Sequence, residues 1–159
     1  MAIEVGQPFP SVTLTKVTDD GPQPVSSDEY FAGRKVALFS VPGAFTPTCS
    51  AKHLPSFVEN RQQLADKGID EIAATAVNDP FVMKAWGQQS SAEGITMLAD
   101  GNGDLVEALG LTMDGSKFGM GKRGQRFSMI VDNGTVTQLN VEQPGDYRLS
   151  SAEHMLSQL

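Results

Sequence analysis

The sequence has few of the residues that build disulfide or metal sites. Its 159 residues include a single cysteine, Cys49, and only two histidines. One thiol cannot form a disulfide within the chain, and so few thiol and imidazole groups do not make up a ligand cluster for a metal ion. We therefore expect no metal, and Cys49 is an inert core residue, a leftover or a reactive centre.

Basic charge and long apolar runs are also scarce. Nineteen acidic residues against 12 basic ones give a formal net charge of −7, which repels phosphate backbones and makes nucleic acid an unexpected partner. No run approaches the roughly 20 apolar residues of a membrane-spanning helix. The first residues lack the basic and apolar regions of a secretory signal. With one cysteine and no signal, we expect a cytoplasmic protein.

Apolar runs alternate with helical patterns along a chain that we expect to form one domain, residues 1–159. Strands are predicted at 35–41, 69–77 and 95–98, helices at 50–67, from 80 to before 94, at 102–109 and at 150–158, and a hairpin at 126–141. Alternation predicts parallel strands and the hairpin adds antiparallel ones, so the class is α/β with a central mixed β-sheet flanked by helices. The order is that of a thioredoxin-like fold with an N-terminal extension, in which 18–29 forms a surface loop or hairpin.

The segment around Cys49 favours a reactive thiol. Cys49 follows the buried strand and lies in the first turn of the next helix, where unpaired backbone N–H groups lower a thiol pKa. A fall in pKa from about 8.5 to about 6 raises the thiolate fraction at pH 7 from roughly 3% to about 90%. That gain is only about thirtyfold, so a larger acceleration needs groups that bind the transition state.

Binding of the transition state could fall to three residues that precede Cys49 in the sequence: Thr46, Pro42 and Gly43. The Thr46 hydroxyl can donate or accept a hydrogen bond, although a helix N-cap is the commoner role for a threonine at this position. Pro42 has no N–H and stiffens the loop, so it would shield the sulfur. Gly43 lets its backbone N–H approach a ligand closely.

The spacing Pro42-x-x-x-Thr46-x-x-Cys49 resembles the active-site signature of peroxiredoxins. The wider string at 42–55, PGAFTPTCSAKHLP, is similar to the peroxiredoxin 5 (type II) subfamily. Later blocks at 76–86, 126–129 and 139–142 match that subfamily in the same order. The resemblance covers nearly the whole chain.

The resemblance implies a thiol-dependent peroxidase without a metal or bound organic cofactor. Cys49 matches the peroxidatic cysteine, which attacks hydrogen peroxide or an alkyl hydroperoxide and becomes a sulfenic acid. Thr46 matches the threonine that orients the peroxide, Arg126 the arginine that holds thiolate and peroxide, and Pro42 the shielding proline. The N–H groups of Gly43 and Cys49 would polarise the peroxide oxygens.

Other residues carry weaker expectations. Phe45 and Phe118 are candidates for an apolar substrate pocket or for dimer contacts. His53 lies one helical turn after Cys49, and packing or an interface contact is favoured over a catalytic base. Lys122 and Arg123 are expected in a solvated basic loop. Core packing is expected for three residues of one helix: Phe81, Met83 and Trp86.

The chain departs from many relatives in lacking a second, resolving cysteine. The two usual places correspond to 73–75 and 147–151, and neither contains one. A bond between Cys49 residues of two subunits is conceivable, but a one-cysteine cycle is simpler. The sulfenic acid then condenses with an external thiol. Glutathione with glutaredoxin is the favoured reductant, thioredoxin remains possible, and the resemblance implies a homodimer.

Two other functions compete with this antioxidant role. A thioredoxin-like thiol-disulfide reductase with a dithiol cycle is excluded because the sequence has no Cys-x-x-Cys pair. A peroxide sensor or chaperone, which passes oxidation to a partner protein, stays open. The sequence therefore favours a peroxidase without settling its physiological reductant.

Overall fold

The computed structural model describes residues 2–159, except for the side chains of Cys49 and Ser50. The strands are β1 (Thr13–Thr18), β2 (Gly21–Ser26), β3 (Lys35–Ser40), β4 (Glu71–Ala76), β5 (Ile95–Ala99), β6 (Thr112–Asp114), β7 (Lys122–Gly124), β8 (Phe127–Asp132) and β9 (Thr135–Val141). The helices are α1 (Ser27–Phe31), α2 (Leu54–Glu59), α3 (Arg61–Asp66), α4 (Pro80–Gln89), α5 (Asp104–Leu109) and α6 (Ala152–Ser157), with a π-helix at Cys49–His53 and a 3₁₀ turn at Ser116–Phe118.

A seven-stranded mixed sheet in the order β2-β1-β5-β4-β3-β8-β9 forms the middle of the structure. Strand β3 pairs in parallel with β4 and antiparallel with β8. Its residues from Val36 to Phe39 are fully buried, as expected of a central strand covered on both faces. The register sets Ser40 opposite Phe127, so the loop after β3 lies beside Arg126.

Helices cover both faces of the sheet, and the sheet separates the core into two clusters. On one face, Phe39 packs with Phe57 of α2 and Trp86 of α4. On the other, Leu38 packs with residues of α1 and α5, including Phe31. Adjacent residues of a strand point to opposite faces, which is why Leu38 and Phe39 belong to different clusters. The predicted mixed sheet flanked by helices and the thioredoxin-like fold class are confirmed.

The helix predicted at 50–67 is divided into three parts. A proline ring in a helix collides with the carbonyl four residues earlier and cannot donate to it. Pro55 stands in that relation to Ala51, and the wider π-helix that ends at His53 accommodates it. A second break falls at Asn60, whose side-chain amide donates to the Ser56 carbonyl at 2.8 Å.

The signals that mark the ends of other elements are confirmed. Asp79 caps α4, with its Oδ1 accepting from the Val82 N–H at 2.8 Å, and Pro80 is the first helical residue. Asn133 and Gly134 both have positive φ and join β8 to β9 as the predicted hairpin. The alternatives left open for 18–29 resolve as the end of the β1–β2 hairpin followed by α1.

Two predictions about individual residues were wrong. Phe81 is 71% exposed, whereas Met83 and Trp86 are fully buried. At 100° per residue, Phe81 lies roughly 200° from Met83 and roughly 140° from Trp86 around the helix, away from its buried side. Lys122 and Arg123 do not lie in a loop but form β7, which pairs with β6 in a separate two-stranded sheet.

Within the described residues, no helix is both long enough and apolar enough to cross a bilayer.

Candidate active site

The site begins in the loop that follows β3, residues 41–48. The N–H of Val41 still bonds to the Thr75 carbonyl at 3.2 Å, so the start of the loop remains attached to β4. The N–H of Ala44 donates to Asn78 Oδ1 at 2.9 Å. Asn78 lies just before the cap of α4, so two neighbouring connections of the sheet hold this loop at one edge.

Thr46 is turned back onto the loop. Both its N–H and its hydroxyl donate to the Gly43 carbonyl, at 3.3 Å and 2.7 Å. Because a threonine hydroxyl has one hydrogen and two lone pairs, this hydroxyl acts as an acceptor toward further groups.

Gly43 is buried where no side chain fits without displacement. A Cβ built on Gly43 would lie 3.2 Å from Arg123 Nη1, 3.3 Å from Met120 Cε and 3.3 Å from Thr46 Cγ2. Arg123, expected in a solvated loop, instead packs against the loop that precedes Cys49, with its Nε donating to the Met120 carbonyl. The glycine allows this close packing.

Phe45 adopts a backbone conformation that is unusual for a bulky residue. Its φ is +68°, in the left-handed region, and its side chain is 45% exposed. Such a residue costs roughly 1–3 kcal/mol and persists only when neighbouring contacts impose it. The hydrogen bonds of Ala44 and Thr46 on either side supply that constraint.

Cys49 is the first residue of the π-helix, which continues into α2. The predicted placement at the start of a helix is therefore confirmed for its backbone, while its side chain lies outside the described part of the structure. Single π-helical turns are rare and occur often at functional sites.

Arg126 comes to the loop from the other side of β3. Its carbonyl accepts from the Glu142 N–H at 2.9 Å, and its side-chain Nη1 lies 2.9 Å from His53 Nδ1. The guanidinium carbon is 6.0 Å from the centre of the Tyr147 ring, within reach of a cation–π contact. The strand register thus brings Arg126 to the predicted loop. It lies beside Pro42 in space, although the two residues are 84 positions apart in the sequence.

A cleft of about 120 Å³ opens between these elements. Its lining includes Pro42, Thr48, Gln125 and Arg126, together with the segment 142–146. Pockets for drug-sized ligands run from roughly 300 Å³ upward, so this cleft suits a small molecule. Phe45 and Phe118 do not line it, and Phe118 is 80% exposed. Their assignment to substrate or dimer contacts stays a prediction.

His53 takes the packing role that the sequence favoured, but its contacts with Arg126 and Ser150 were not predicted. It is fully buried, and its Nε2 lies 2.9 Å from the Ser150 carbonyl. Burial lowers its pKa to about 3, the nearby charge of Arg126 adds to the shift, and the bond to Ser150 opposes it. A neutral, enclosed imidazole suits the packing role more than that of a base. The signal available was its spacing of four residues from Cys49.

Glu142, for which the sequence predicted no role, holds the segment that covers His53. Its Oε2 accepts from the N–H groups of Arg148, Leu149 and Ser150 and from the Ser150 hydroxyl, all within 2.8 Å. Burial raises the pKa of Glu142, but these four hydrogen bonds outweigh it and hold the pKa below its usual value. No group of three metal-ligating side chains occurs among the described residues.

A thioredoxin-like fold with one cysteine at the start of a helix and an arginine just before the adjoining strand defines a thiol-based redox protein. Comparison with known proteins specifies which one. The family model described as Redoxin matches residues 4–156. Peroxiredoxin-2D of Arabidopsis thaliana is 46% identical over 159 residues, covering 99% of this chain and 98% of the relative.

Solved structures agree with the sequence relatives. Reduced Prx3 of Vibrio vulnificus in complex with hydrogen peroxide is 52% identical, with a TM-score of 0.95 and 98% of each chain covered. The 1-Cys peroxiredoxin of Plasmodium falciparum is 27% identical, with a TM-score of 0.91 and 96% of each chain covered. The chain belongs to the redoxin family and, within it, to the type II peroxiredoxins, which are thiol peroxidases.

Proposed function

We propose that this protein reduces hydrogen peroxide and alkyl hydroperoxides at Cys49 and is regenerated by an external thiol. The observation that carries the proposal is the meeting of Pro42, Thr48 and Arg126 around one small cleft beside the residue that begins the π-helix. The Vibrio vulnificus relative with bound hydrogen peroxide supports the choice of substrate.

The first step is a displacement at oxygen. The Cys49 thiolate attacks one peroxide oxygen, an S–O bond forms, and the O–O bond breaks with its electron pair leaving on the distal oxygen. Sulfur is oxidised by two electrons, and hydroxide or alkoxide leaves and takes up a proton. Arg126 supplies a fixed positive charge for the thiolate and the departing oxygen, which is worth more inside a cleft than in water.

Thr46 and Gly43 orient the peroxide in the same proposal. Because the Thr46 hydroxyl already donates to the Gly43 carbonyl, it accepts a hydrogen bond from the protonated peroxide oxygen. The backbone N–H groups of Gly43 and Cys49 polarise the oxygens, and Pro42 shields the sulfur. Correct orientation of two reacting groups contributes a large share of such accelerations.

The oxidised enzyme depends on a thiol from another molecule. A sulfenic acid and a thiol such as glutathione form a mixed disulfide and release water, and a second thiol then frees Cys49. Glutathione with glutaredoxin is the favoured donor, and thioredoxin is the alternative. The single cysteine of the chain and the one-cysteine relative from Plasmodium falciparum support this cycle.

Steady-state peroxide consumption tests this proposal directly. Purified protein is mixed with peroxide and either glutaredoxin with glutathione or thioredoxin with its reductase. We expect turnover with the first system that exceeds turnover with the second. Preference for thioredoxin would overturn the choice of donor only. Rapid oxidation of Cys49 without turnover under any donor would instead favour the sensor.

The proposal also covers assembly, location and cellular role. We expect a homodimer in the cytoplasm that serves antioxidant defence and redox homeostasis. Phe45 and Phe118 are both exposed, and we expect a dimer interface to cover them. Sedimentation of the wild type against Phe118→Ser measures this: a dimer weakened by the substitution supports the proposal, and a monomeric wild type contradicts it. A reducing compartment would supply the external thiol, and cell fractionation tests the location.

A further inference from the structure

Arg126 is held at both ends by a closed ring of hydrogen bonds. Its carbonyl accepts from the Glu142 N–H at 2.9 Å. The Glu142 carboxylate accepts from the Ser150 N–H at 2.8 Å. The Ser150 carbonyl lies 2.9 Å from His53 Nε2, and His53 Nδ1 lies 2.9 Å from Arg126 Nη1. The ring therefore returns to the residue at which it began.

The chemistry of each group fixes the direction of every bond around His53. A guanidinium has only donors, so the Nδ1 of His53 must accept from Arg126. A backbone carbonyl only accepts, so Nε2 must carry the single hydrogen of a neutral imidazole and donate to Ser150. One tautomer satisfies both partners. Its low pKa agrees with this assignment but is not needed for it.

Aromatic rings enclose His53 and keep it in place. Its ring centre lies 4.8 Å from that of Phe39, 5.8 Å from that of Phe57 and 5.3 Å from that of Tyr147. With no exposed surface, the imidazole cannot exchange either partner for water. A rotation of the imidazole would leave its two buried nitrogen atoms without partners, at a cost of about 1–3 kcal/mol each.

The part of the hydrogen-bond ring that lies beyond His53 is anchored just as firmly. Glu142 is 5% exposed, and the four donors on its carboxylate fold the segment from Arg148 to Ser150 around it. The Ser150 carbonyl is thereby aimed at His53. Charge-assisted bonds of this kind are stronger than neutral ones, so the segment gives His53 a fixed point of attachment.

We propose that His53, Ser150 and Glu142 are positioning residues that fix the Arg126 guanidinium at the cleft and so set the rate at which Cys49 reacts with peroxide. The inference rests on the role proposed above for Arg126. An arginine side chain has many rotamers, and a displacement of about 1 Å at a reacting centre can cost a hundredfold in rate. Preorganisation through the ring removes that loss.

Stopped-flow measurement of peroxide oxidation in His53→Phe, Arg126→Ala and the double variant tests the proposal. The phenylalanine keeps the buried ring but removes both hydrogen bonds. We expect His53→Phe to slow oxidation roughly 10- to 100-fold and the double variant to be no slower than Arg126→Ala alone. His154→Phe, a change at the other histidine, is the matched control and should react at the wild-type rate.

His53→Asn separates positioning from a structural effect. Its Oδ1 takes the place of Nδ1 and can accept from Arg126, while the bond to Ser150 is lost. We expect partial rescue relative to His53→Phe, and a pH–rate profile closer to that of the wild type. Urea unfolding of each variant shows whether the rates follow the hydrogen bond to Arg126 or the stability; rates that follow stability alone overturn the proposal.

The outcomes distinguish this inference from the proposed function. A wild-type rate in Arg126→Ala removes the role of Arg126 itself. A slow Arg126→Ala with an unchanged His53→Phe overturns the inference alone, as does an equal slowing by His53→Phe in both backgrounds. If His53→Phe does not fold, Glu142→Gln takes its place, because the amide preserves shape and weakens the anchor. Its slowing must likewise vanish in the Arg126→Ala background.

Discussion

Lowering the pH from 7 to 5 should destabilise this protein through His53. Burial and the nearby Arg126 charge lower the pKa of His53 in the folded state to about 3, against 6.5 for an unperturbed histidine. Between pH 6.5 and about pH 3, the unfolded chain therefore binds a proton at His53 that the folded chain does not bind. Stability from His53 is fully present above pH 6.5 and is lost as the pH falls toward 3.

The size of the effect follows from that difference. Each unit between the pH and the unfolded pKa is worth about 1.4 kcal/mol, so the 1.5 units from 6.5 to 5 correspond to about 2 kcal/mol. This requires only that the folded pKa lies below 5. Carboxylates with unperturbed pKa values near 4 titrate mostly below this window and contribute little to it.

Urea unfolding at pH 7 and at pH 5, for wild type and His53→Phe, provides the measurement. The free energy of unfolding of the wild type should fall by about 2 kcal/mol more than that of the variant, because every other ionisable group is present in both. His53→Asn serves if the phenylalanine variant does not fold. An equal pH dependence in wild type and variant would show that His53 is not held neutral, and the reasoning would fail.

Substitutions at three residues test the site and the fold. Cys49→Ser should abolish peroxide consumption, and residual turnover would place the nucleophile elsewhere. Arg126→Ala should slow Cys49 oxidation roughly 10²–10³-fold, the usual loss when one fixed charge or donor at a transition state is removed; Arg126→Lys should recover only part of the rate, since an ammonium lacks the planar fork. Asp79→Ala should lower the free energy of unfolding by about 1 kcal/mol through the lost cap of α4, with Asp79→Asn close to wild type. A change in oxidation rate in Asp79→Ala would contradict the view that Asp79 acts only on the helix.

The elements that sequence predicted well carry local signals. The cap at Asp79 and the turn at Asn133 and Gly134 depend on a few adjacent residues, whose side chains and φ preferences act within the segment itself. The edge strand β2 was harder to recognise, because its two prolines weaken the strand pattern and are tolerated only at the edge of a sheet. The interruption beside Pro55 was likewise hidden in a stretch whose apolar spacing is helical.

The functional site likewise has a part that local sequence predicted and a part that it did not. The signature from Pro42 to Cys49 is contiguous, and the resemblance supplied Arg126, so the family was evident before the structure. The tertiary contacts of His53 and Glu142 were not, since the partners of His53 lie 73 and 97 residues away. No local pattern predicts which carbonyl a buried imidazole will face.

The sequence by itself determined that the chain has a single cysteine, at the start of a helix, and no second cysteine that could pair with it. Both follow from residue identity and short-range spacing. Only the tertiary structure decided how Arg126 is held. Its orientation depends on the register of β3 with β8 and on a buried ring of hydrogen bonds through Glu142, Ser150 and His53, which exists only once the sheet and its covering segments have packed together.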